Sequence, residues 1–492
     1  MEHFFDWFRR CGEPGRPWLI LGKGPSFALR ERYDLSRFHL LSLNHAVREQ
    51  AVLLAHMIDL DVIDACGDAL PGQAEYLVLP WYPHVRNAPG ARSLEELVPG
   101  HPVLRRMAEQ GRLLWYDLST APRRFGPGPV VRATYFSAEA AVNLLALAEV
   151  RQVRSLGVDG GAGYSADFED LARRTLLANG QPGFDLQFQG IARTIQRTGL
   201  DFAPLDQPAP MIVCVRSGTA TSLAERVLEY SVRKHASISV RMHAIRSPAD
   251  TSSIPSEQAD EWRVAPGTER RAIVIRPEAL VFGDLRQLWL TPRLRPEVAA
   301  PRDPEGSGVA AESPPIALVT ASGADWFETV SRISLGGSLA RPEFPGGLPV
   351  APLPSAWGRR DRFVEGDTAL LLYAAPETRP WVSRAHPLAH LWVAALIEAV
   401  QEGAIKLESI QEAVRRGHVR PSLLEQVDRG TPEDLFLSRS ARRRDAEFRL
   451  REGLVAVQAG MLPHPMLALR ALARHARRRL GAYRRRGTTI PE

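Results

Sequence analysis

From about residue 16 to 204 the chain alternates short apolar runs, PWLILG, FHLLSLN, EYLVLPW and VRSLGVD, with helical patterns such as SAEAAVNLLALAEV. An apolar run without polar alternation belongs to a strand covered on both faces, and helices recurring between such strands provide the cover. The pattern therefore predicts a mostly parallel sheet with helices on both sides. LDQPAP, residues 205 to 210, reads as a linker, and MIVCV opens a second run of the same kind. Behind it, SLAERVLEYSVRKHA places Leu223, Val227, Leu228 and Val232 on one helical face. At 492 residues the chain exceeds what one hydrophobic core serves, so two α/β domains are expected, 1–205 and 211–405, followed by a helical extension over 406–492.

With 45% hydrophobic and 24% charged residues, the chain is neither collagen-like, mucin-like nor disordered throughout. The opening MEHFFDWFRRCGEPGRP breaks its apolar residues with charges and prolines, and no later run is long enough to span a bilayer, so a cytoplasmic protein is expected. Cys11, Cys66 and Cys214 stand far apart with no CxxC pair, which argues against a disulfide framework or a zinc site. Much of the net charge of +6 sits in SARRRDAEFRLRE and RALARHARRRLGAYRRR, where Leu469, Leu472, Ala476, Leu480 and Tyr483 form one stripe opposed by arginines. Such a helix docks on the protein body, on a partner, or on an acidic membrane surface such as the inner membrane face; no specific nucleic acid is expected as a partner. Residues 296–315, rich in Pro, Gly, Ala and Glu, are expected to form a mobile insertion.

The run WLIL leads into Gly22, Lys23, Gly24, Pro25 and Ser26. Two glycines let the backbone approach a ligand, Ser26 is placed to cap the helix that follows, and the amides at a helix start attract an anion such as phosphate. HLLSLN ends at Asn44 and His45, on the carboxyl edge of the expected sheet, where side chains face the same crevice. Further candidates are Asp59, Asp61 and Asp64 in HMIDLDVIDACG, Trp81, His84 and Arg86 in LPWYPHVRN, Ser137 at a helix start, and Asp159 ahead of Gly160, Gly161 and Gly163. Each alone has a structural explanation as a turn carboxylate, a core tryptophan or a bend.

Taken in order, GKGPS, a strand ending in Asn44, the Ser137-led helix and LGVD resemble the bacterial family 42 sialyltransferases and the related Maf-type flagellin-modifying and MptE-like proteins, over roughly residues 16 to 165. That resemblance implies a Rossmann-like fold and a nucleotide-sugar donor, commonly CMP linked to an acidic nine-carbon sugar, held without bound metal. It places Gly22, Gly24, Ser26, Asn44 and Ser137 around the nucleotide, with Asp159 closing the far side; Lys23, His45 and Asp59, candidates from the residues themselves, are counted with them as substrate-binding. One departure matters: the family's histidine base, beyond the strand that ends in GxD, has no counterpart, since there is no histidine between His101 and His235. Base work then falls to Asp159 or Asp185, or to His45 or His84.

Residues 211–245 resemble the opening of glycosyltransferase family 8, AIVIRPEALVFGDLRQLW its metal strand, and LPSAWGRR through IEAVQEG its closing segment. The resemblance implies a GT-A-like fold and, in the family, Mn²⁺ held by two aspartates and a histidine. At the matching positions stand Arg276, Glu278 and Leu372, the last before Tyr373 and Pro380-Trp381. An arginine about 4 Å from a divalent ion, at an effective dielectric near 20, repels it by roughly 8 kcal/mol. Hard cations also need several oxygen ligands, and leucine supplies none. The alternative is that Arg276 neutralises a diphosphate directly.

The expected fold class is thus α/β, two Rossmann-like/GT-A-like domains with a basic helical C-terminal extension. The expected function is that of a glycosyltransferase-like protein of bacterial surface-glycan assembly. Its N-terminal domain uses no cofactor, binds a nucleotide sugar and transfers the sugar to a hydroxyl of a glycan or glycoprotein acceptor, with Asp159 as the catalytic group; Mn²⁺ enters only if the second domain is active. The competing readings are a wholly non-catalytic glycan- or partner-binding module and a pyrophosphokinase similar to the MptE-like proteins.

Overall fold

The computed structural model describes residues 1–448 apart from 14, 68, 135, 162, 172–182, 208–209, 218–221, 246–268, 291–297, 302–313, 323–329 and 331–349. The arginine-flanked stripe from Leu469 to Tyr483 and most of the expected insertion lie outside the described residues. The chain divides into two units, Met1–Met211 with Arg233–Val240, and Ile212–Val232 with Arg241–Glu492.

The first unit is built on β1 (Glu2–His3), β2 (Trp18–Leu21), β3 (His39–Leu43), β4 (Val52–His56), β5 (Ala74–Pro80), the small hairpin β6 (His84–Val85) and β7 (Ala88–Pro89), β8 (Leu113–Leu118), β9 (Val130–Val131), β10 (Gln152–Leu156) and β11 (Asp201–Pro204). Its main sheet runs β1-β8-β5-β4-β3-β2-β10-β11, with every neighbouring pair parallel. Strand alternation sends Trp18 and Ile20 into one buried cluster and Leu19 and Leu21 into the other, so both faces are covered. One cover is the N-terminal helix Phe4–Cys11, which buries Phe4, Phe5, Trp7 and Phe8. Each such aromatic contributes about 2–3 kcal/mol by leaving water, which ties a segment with no distinct strand or helix signature firmly to the sheet. Inside the sheet, His56 of β4 meets Tyr116 of β8, Nε2 to hydroxyl 2.8 Å, and burial lowers the His56 pKa to about 3.

The strand order positions the site. From β2 the chain steps outward through β3, β4, β5 and β8, then crosses back by the helix Ser137–Leu147 to place β10 on the other side of β2. Strand order therefore reverses between β2 and β10, and ligands of open parallel sheets bind beyond the carboxyl ends at such a reversal.

The second unit has a mixed sheet. Its strands are β12 (Met211–Arg216), β13 (Val240–Ile245), β14 (Glu269–Ile275), β15 (Ala279–Val281), β16 (Val298–Pro301), β17 (Ile316–Ser322), β18 (Val350–Leu353), β19 (Arg359–Arg360) and β20 (Leu370–Leu372). The order is β13-β12-β14-β17-β16-β18, with β14 and β17 antiparallel from Glu269↔Ser322 to Ile275↔Ile316, and β15-β20-β19 form a separate small sheet. The expected mobile insertion needs correction at its start: residues 298–301 form β16, laddered to β17 on one side and β18 on the other. Composition missed it because the hydrogen-bond partners come from distant sequence.

After residue 405, helices Leu407–Arg415, Ser422–Arg429 and Arg439–Glu447 follow. Arg420, fully buried, donates to Pro380 O at 2.7 Å and Gln426 Oε1 at 2.8 Å, while Asp445 accepts from Ser422 N at 2.9 Å and pairs with Arg384 at 3.0 Å.

A side chain at Gly22 would put its Cβ 2.2 Å from the Gly157 carbonyl oxygen. Gly22→Ala is expected to cost about 3 kcal/mol, read as a lower urea midpoint for the cooperative unfolding of the first unit.

Candidate functional site

Past their last paired residues, the chains leaving β2 and β10 keep bonding to each other. Gly22 N donates to Leu156 O at 2.7 Å and Gly24 N to Gly157 O at 2.8 Å. Gly157 has φ +75°, and a Cβ there would lie 2.3 Å from Gly22 O, so both positions require glycine. A Cβ at Gly24 would meet Asp159 Oδ2 at 2.5 Å.

Ser26 binds this junction together. Its amide donates to Asp159 Oδ2 at 2.7 Å, its hydroxyl donates to Asp159 Oδ1 at 2.5 Å, and the hydroxyl oxygen accepts from Gly157 N at 2.6 Å. The expectation that Ser26 caps the following helix needs correction: Gly24 holds the N-cap position, without a side-chain bond, and Pro25–Arg32 is a 3₁₀ segment. The anion attracted to that segment's first amides is thus supplied by the chain itself, as Asp159.

Lys23 points a part-buried ammonium over the Tyr164 ring, 4.7 Å from its centroid, and burial brings its pKa down to about 8. Its carbonyl accepts from Ser165 N at 2.8 Å. The segment beyond is tied to the same junction by Arg30–Asp167 at 3.2 Å, Arg48–Asp170 at 3.0 Å and the Phe27–Phe168 ring contact. Sequence reading missed these pairs because partners such as Arg30 and Asp167 stand 137 residues apart.

One strand over, β3 ends at Asn44, whose φ of +53° is a left-handed conformation that asparagine tolerates better than most residues. Ser137 Oγ, at the start of the helix Ser137–Leu147, lies 3.4 Å from Asn44 Oδ1, and His45 is buried beside it. Glu139, also missed from sequence, is buried under that helix start and accepts from Thr134 N at 3.0 Å and Phe136 N at 3.1 Å.

Asp59 sits two strands from β2, after β4, and faces a different structure. Its Oδ1 accepts from Asn87 N at 2.8 Å, and Asp61 accepts from Arg86 N at 2.6 Å. Arg86 and Asn87, at φ +52° and +59°, are the central pair of the β6–β7 hairpin, so two carboxylates stabilise a turn whose residues are both left-handed. Burial raises the Asp59 pKa, against the Asn87 amide. The structure therefore groups Gly22, Lys23, Gly24, Ser26 and Asp159 at the reversal, sets Asn44, His45 and Ser137 beside them, and gives Asp59 to the hairpin.

In the second unit, the turn after β14 holds Glu278 between two arginines: Arg276 Nε at 3.2 Å and Arg379 Nη2 at 3.1 Å. Burial lowers the Arg379 pKa, with Glu278 opposing the shift. Leu372, fully buried, is the β20 partner of Ala279. The resemblance to family 8 implies Mn²⁺ here, and these residues do not fit it: the one carboxylate is already neutralised, two guanidinium groups repel a divalent ion, and the third position offers no donor atom. Nearby, His386 Nε2 donates to Asp361 Oδ1 at 2.8 Å because its Nδ1 accepts from Leu388 N. Among the described residues no group of three His, Cys, Asp or Glu side chains is arranged to hold a metal ion.

No family model matches the chain, and no curated protein matches it. Among solved structures the chain is similar to the apo form of the glycosyltransferase GlyE of Streptococcus pneumoniae TIGR4, at 16% identity and TM-score 0.27, covering 40% of this chain and 64% of that one. It is similar to the galactosyltransferase LgtC in complex with donor and acceptor sugar analogues, at 15% identity and TM-score 0.25, covering 40% of this chain and 96% of that one. A third is the bifunctional glycosyltransferase WbbM, at 11% identity and TM-score 0.24, over 46% and 61%. The chain thus spans less than two thirds of the length of GlyE. The α/β class stands on the sheets themselves, and the resemblance to family 42 sialyltransferases on the residues of the first unit alone.

Replacing Glu278 by Gln removes the carboxylate charge between Arg276 and Arg379 and is expected to cost about 3 kcal/mol, the low end for breaking a buried pair. Chemical denaturation measures it; an unchanged midpoint would show the pair to be screened by solvent.

Proposed function

We propose that the first unit binds a nucleotide sugar at the β2–β10 reversal without a metal and transfers the sugar to a hydroxyl of a glycan acceptor, while the second unit serves as a non-catalytic scaffold. One observation carries this reading: beyond the carboxyl ends of β2 and β10 a glycine junction too tight for any side chain presents Lys23, whose part-buried ammonium lies over Tyr164, and the start of an 11-residue helix at Ser137 stands by Asn44 at the end of the next strand, β3. In the reaction the bond from the sugar's anomeric carbon to the phosphate oxygen breaks, the phosphate departs with the electron pair, and the acceptor oxygen bonds to the anomeric carbon. Lys23 and the helix start stabilise the charge that gathers on the leaving phosphate. The acceptor proton passes to a base at this edge, where Asp159, His45 and Asp185, which accepts from Gly161 N at 3.0 Å, stand. Asp159, with both oxygens accepting from Ser26, also shapes the turn. A wholly non-catalytic binding module is the second reading, favoured by that same carboxylate standing where a phosphate would meet the Ser26 amide. Among the described residues no helix is long and apolar enough to cross a membrane; on the proposed reading the basic C-terminal segment brings the protein to an acidic surface.

A thermal-shift panel of CMP-, UDP-, GDP- and ADP-sugars, with and without Mn²⁺, tests the reading. A metal-independent rise is expected with one nucleotide, abolished by Gly24→Trp and untouched by Arg276→Asp. A response that requires Mn²⁺ would move the active site to the second unit, and no response to any nucleotide would favour the binding module.

Lys23 titrates near 8, lowered from 10.5 by burial, so it is charged below that pH and neutral above it. A bound phosphate prefers the charged form and raises this pKa in the complex; affinity should therefore fall as pH rises above about 8, by up to about tenfold per pH unit until the pKa of the complex is passed. Lys23→Met should weaken binding at neutral pH and flatten the profile, as isothermal titration at several pH values would show.

A further inference from the structure

The carboxyl edge of the first unit carries a second feature, away from the glycine junction. After β8, the loop to β9 brings Phe125 flat against Trp81, with ring centroids 3.9 Å apart and planes 7° from parallel. Trp115 closes the stack from the side at 5.2 Å from Phe125 and 4.7 Å from Trp81. Trp81 is buried, whereas Phe125 remains 52% exposed. One face of its ring is thus backed by tryptophan, while about half of the residue stays open to solvent.

The ring is held rigidly. Asp117, 2% exposed, directs its oxygens at successive loop amides, Phe125 N at 3.0 Å and Gly126 N at 2.8 Å. Arg124 donates to the carbonyls of Gly126 and Pro127, each at 2.8 Å, and Arg123 donates to Tyr82 Oη at 2.5 Å. His84 Nε2 meets Thr120 Oγ1 at 3.0 Å, joining the loop to the β6–β7 hairpin, where Val85 is 44% exposed. A surface phenylalanine needs no explanation by itself, but a buried carboxylate committed to the backbone that presents it fixes the ring before any ligand arrives.

We propose that Phe125 is the stacking platform for a pyranose ring of the acceptor glycan. A flat, preorganised aromatic face flanked by guanidinium groups matches a sugar, which offers a patch of C–H bonds on one face and hydroxyls at its rim; two exposed apolar side chains are too few for a membrane contact. Trp81 follows β5, three strands from β2, and Phe125 lies in the loop after β8, four strands from β2, so the platform stands roughly 14–19 Å from the glycine junction by strand spacing. The ring stacked there is remote from the reacting hydroxyl, which makes the acceptor an oligosaccharide. That last step rests on the transferase reading above; the stacking itself does not.

Saturation-transfer NMR on the full chain with methyl glycosides of glucose, galactose, mannose and N-acetylglucosamine tests the platform, because stacking on one ring tolerates differences in stereochemistry. The expected result is saturation strongest on the C–H protons of one sugar face, at least tenfold weaker in Phe125→Ala and kept in Phe125→Trp. Melting curves establish that both variants are folded. If no glycoside responds, or if Phe125→Ala responds as the unmodified chain does, the proposal is overturned. The nucleotide-sugar thermal shift, run on Phe125→Ala, separates the two ideas: it should be unchanged, and glycoside stacking without any nucleotide response would remove the transferase reading while leaving the platform intact.

Discussion

The first unit depends on two backbones approaching more closely than any side chain allows. Gly22 and Gly157 each occupy space that a Cβ on the other would need, and the amide-to-carbonyl bonds of Gly22 and Gly24 extend the β2–β10 ladder past the strand ends. This contact fixes the floor of the crevice at the strand-order reversal. Ser26 and Asp159 then lock its walls with three hydrogen bonds across 131 to 133 residues of sequence. Lys23, lying between the two glycines, is displayed at a defined position because its neighbours cannot move.

The second unit shows the opposite relation between scaffold and chemistry. Its sheets are well formed, yet the turn after β14 is closed by the Arg276–Glu278–Arg379 group. A carboxylate shared by two guanidinium groups is taken up by those contacts and is not free to ligate a metal ion. Burial and laddering, not ligands, hold the strands of this unit in place.

Much of the architecture was legible in the residues. The apolar runs at WLIL, HLLSL, AEYLVLP and QVRSL are strands β2, β3, β5 and β10, and the Ser137 helix stands where its pattern places it, because uninterrupted apolar runs and 3.6-residue periodicity are local signals. The misses share one cause. The ladder of β16, the Arg30–Asp167 and Arg48–Asp170 pairs and Glu139 beneath the helix start all rely on partners distant in sequence, and the burial of Phe4, Phe5, Trp7 and Phe8 shows only once the sheet is assembled. Ser26 is the instructive case: its type and place suit a cap, but a carboxylate 133 residues away competes for its amide and hydroxyl and wins.

The sequence by itself determined the α/β class, the glycine turn and the presence of an arginine and a leucine, neither a metal ligand, at positions 276 and 372, since apolar periodicity and residue chemistry are properties of the chain read in order. Tertiary structure alone decided that Asp59 belongs to a hairpin, that Asp159 faces Ser26, and that Phe125 is backed by Trp81. Those outcomes depend on which strands lie side by side, and neighbours in a parallel sheet are set by crossovers that bring together residues a hundred positions apart.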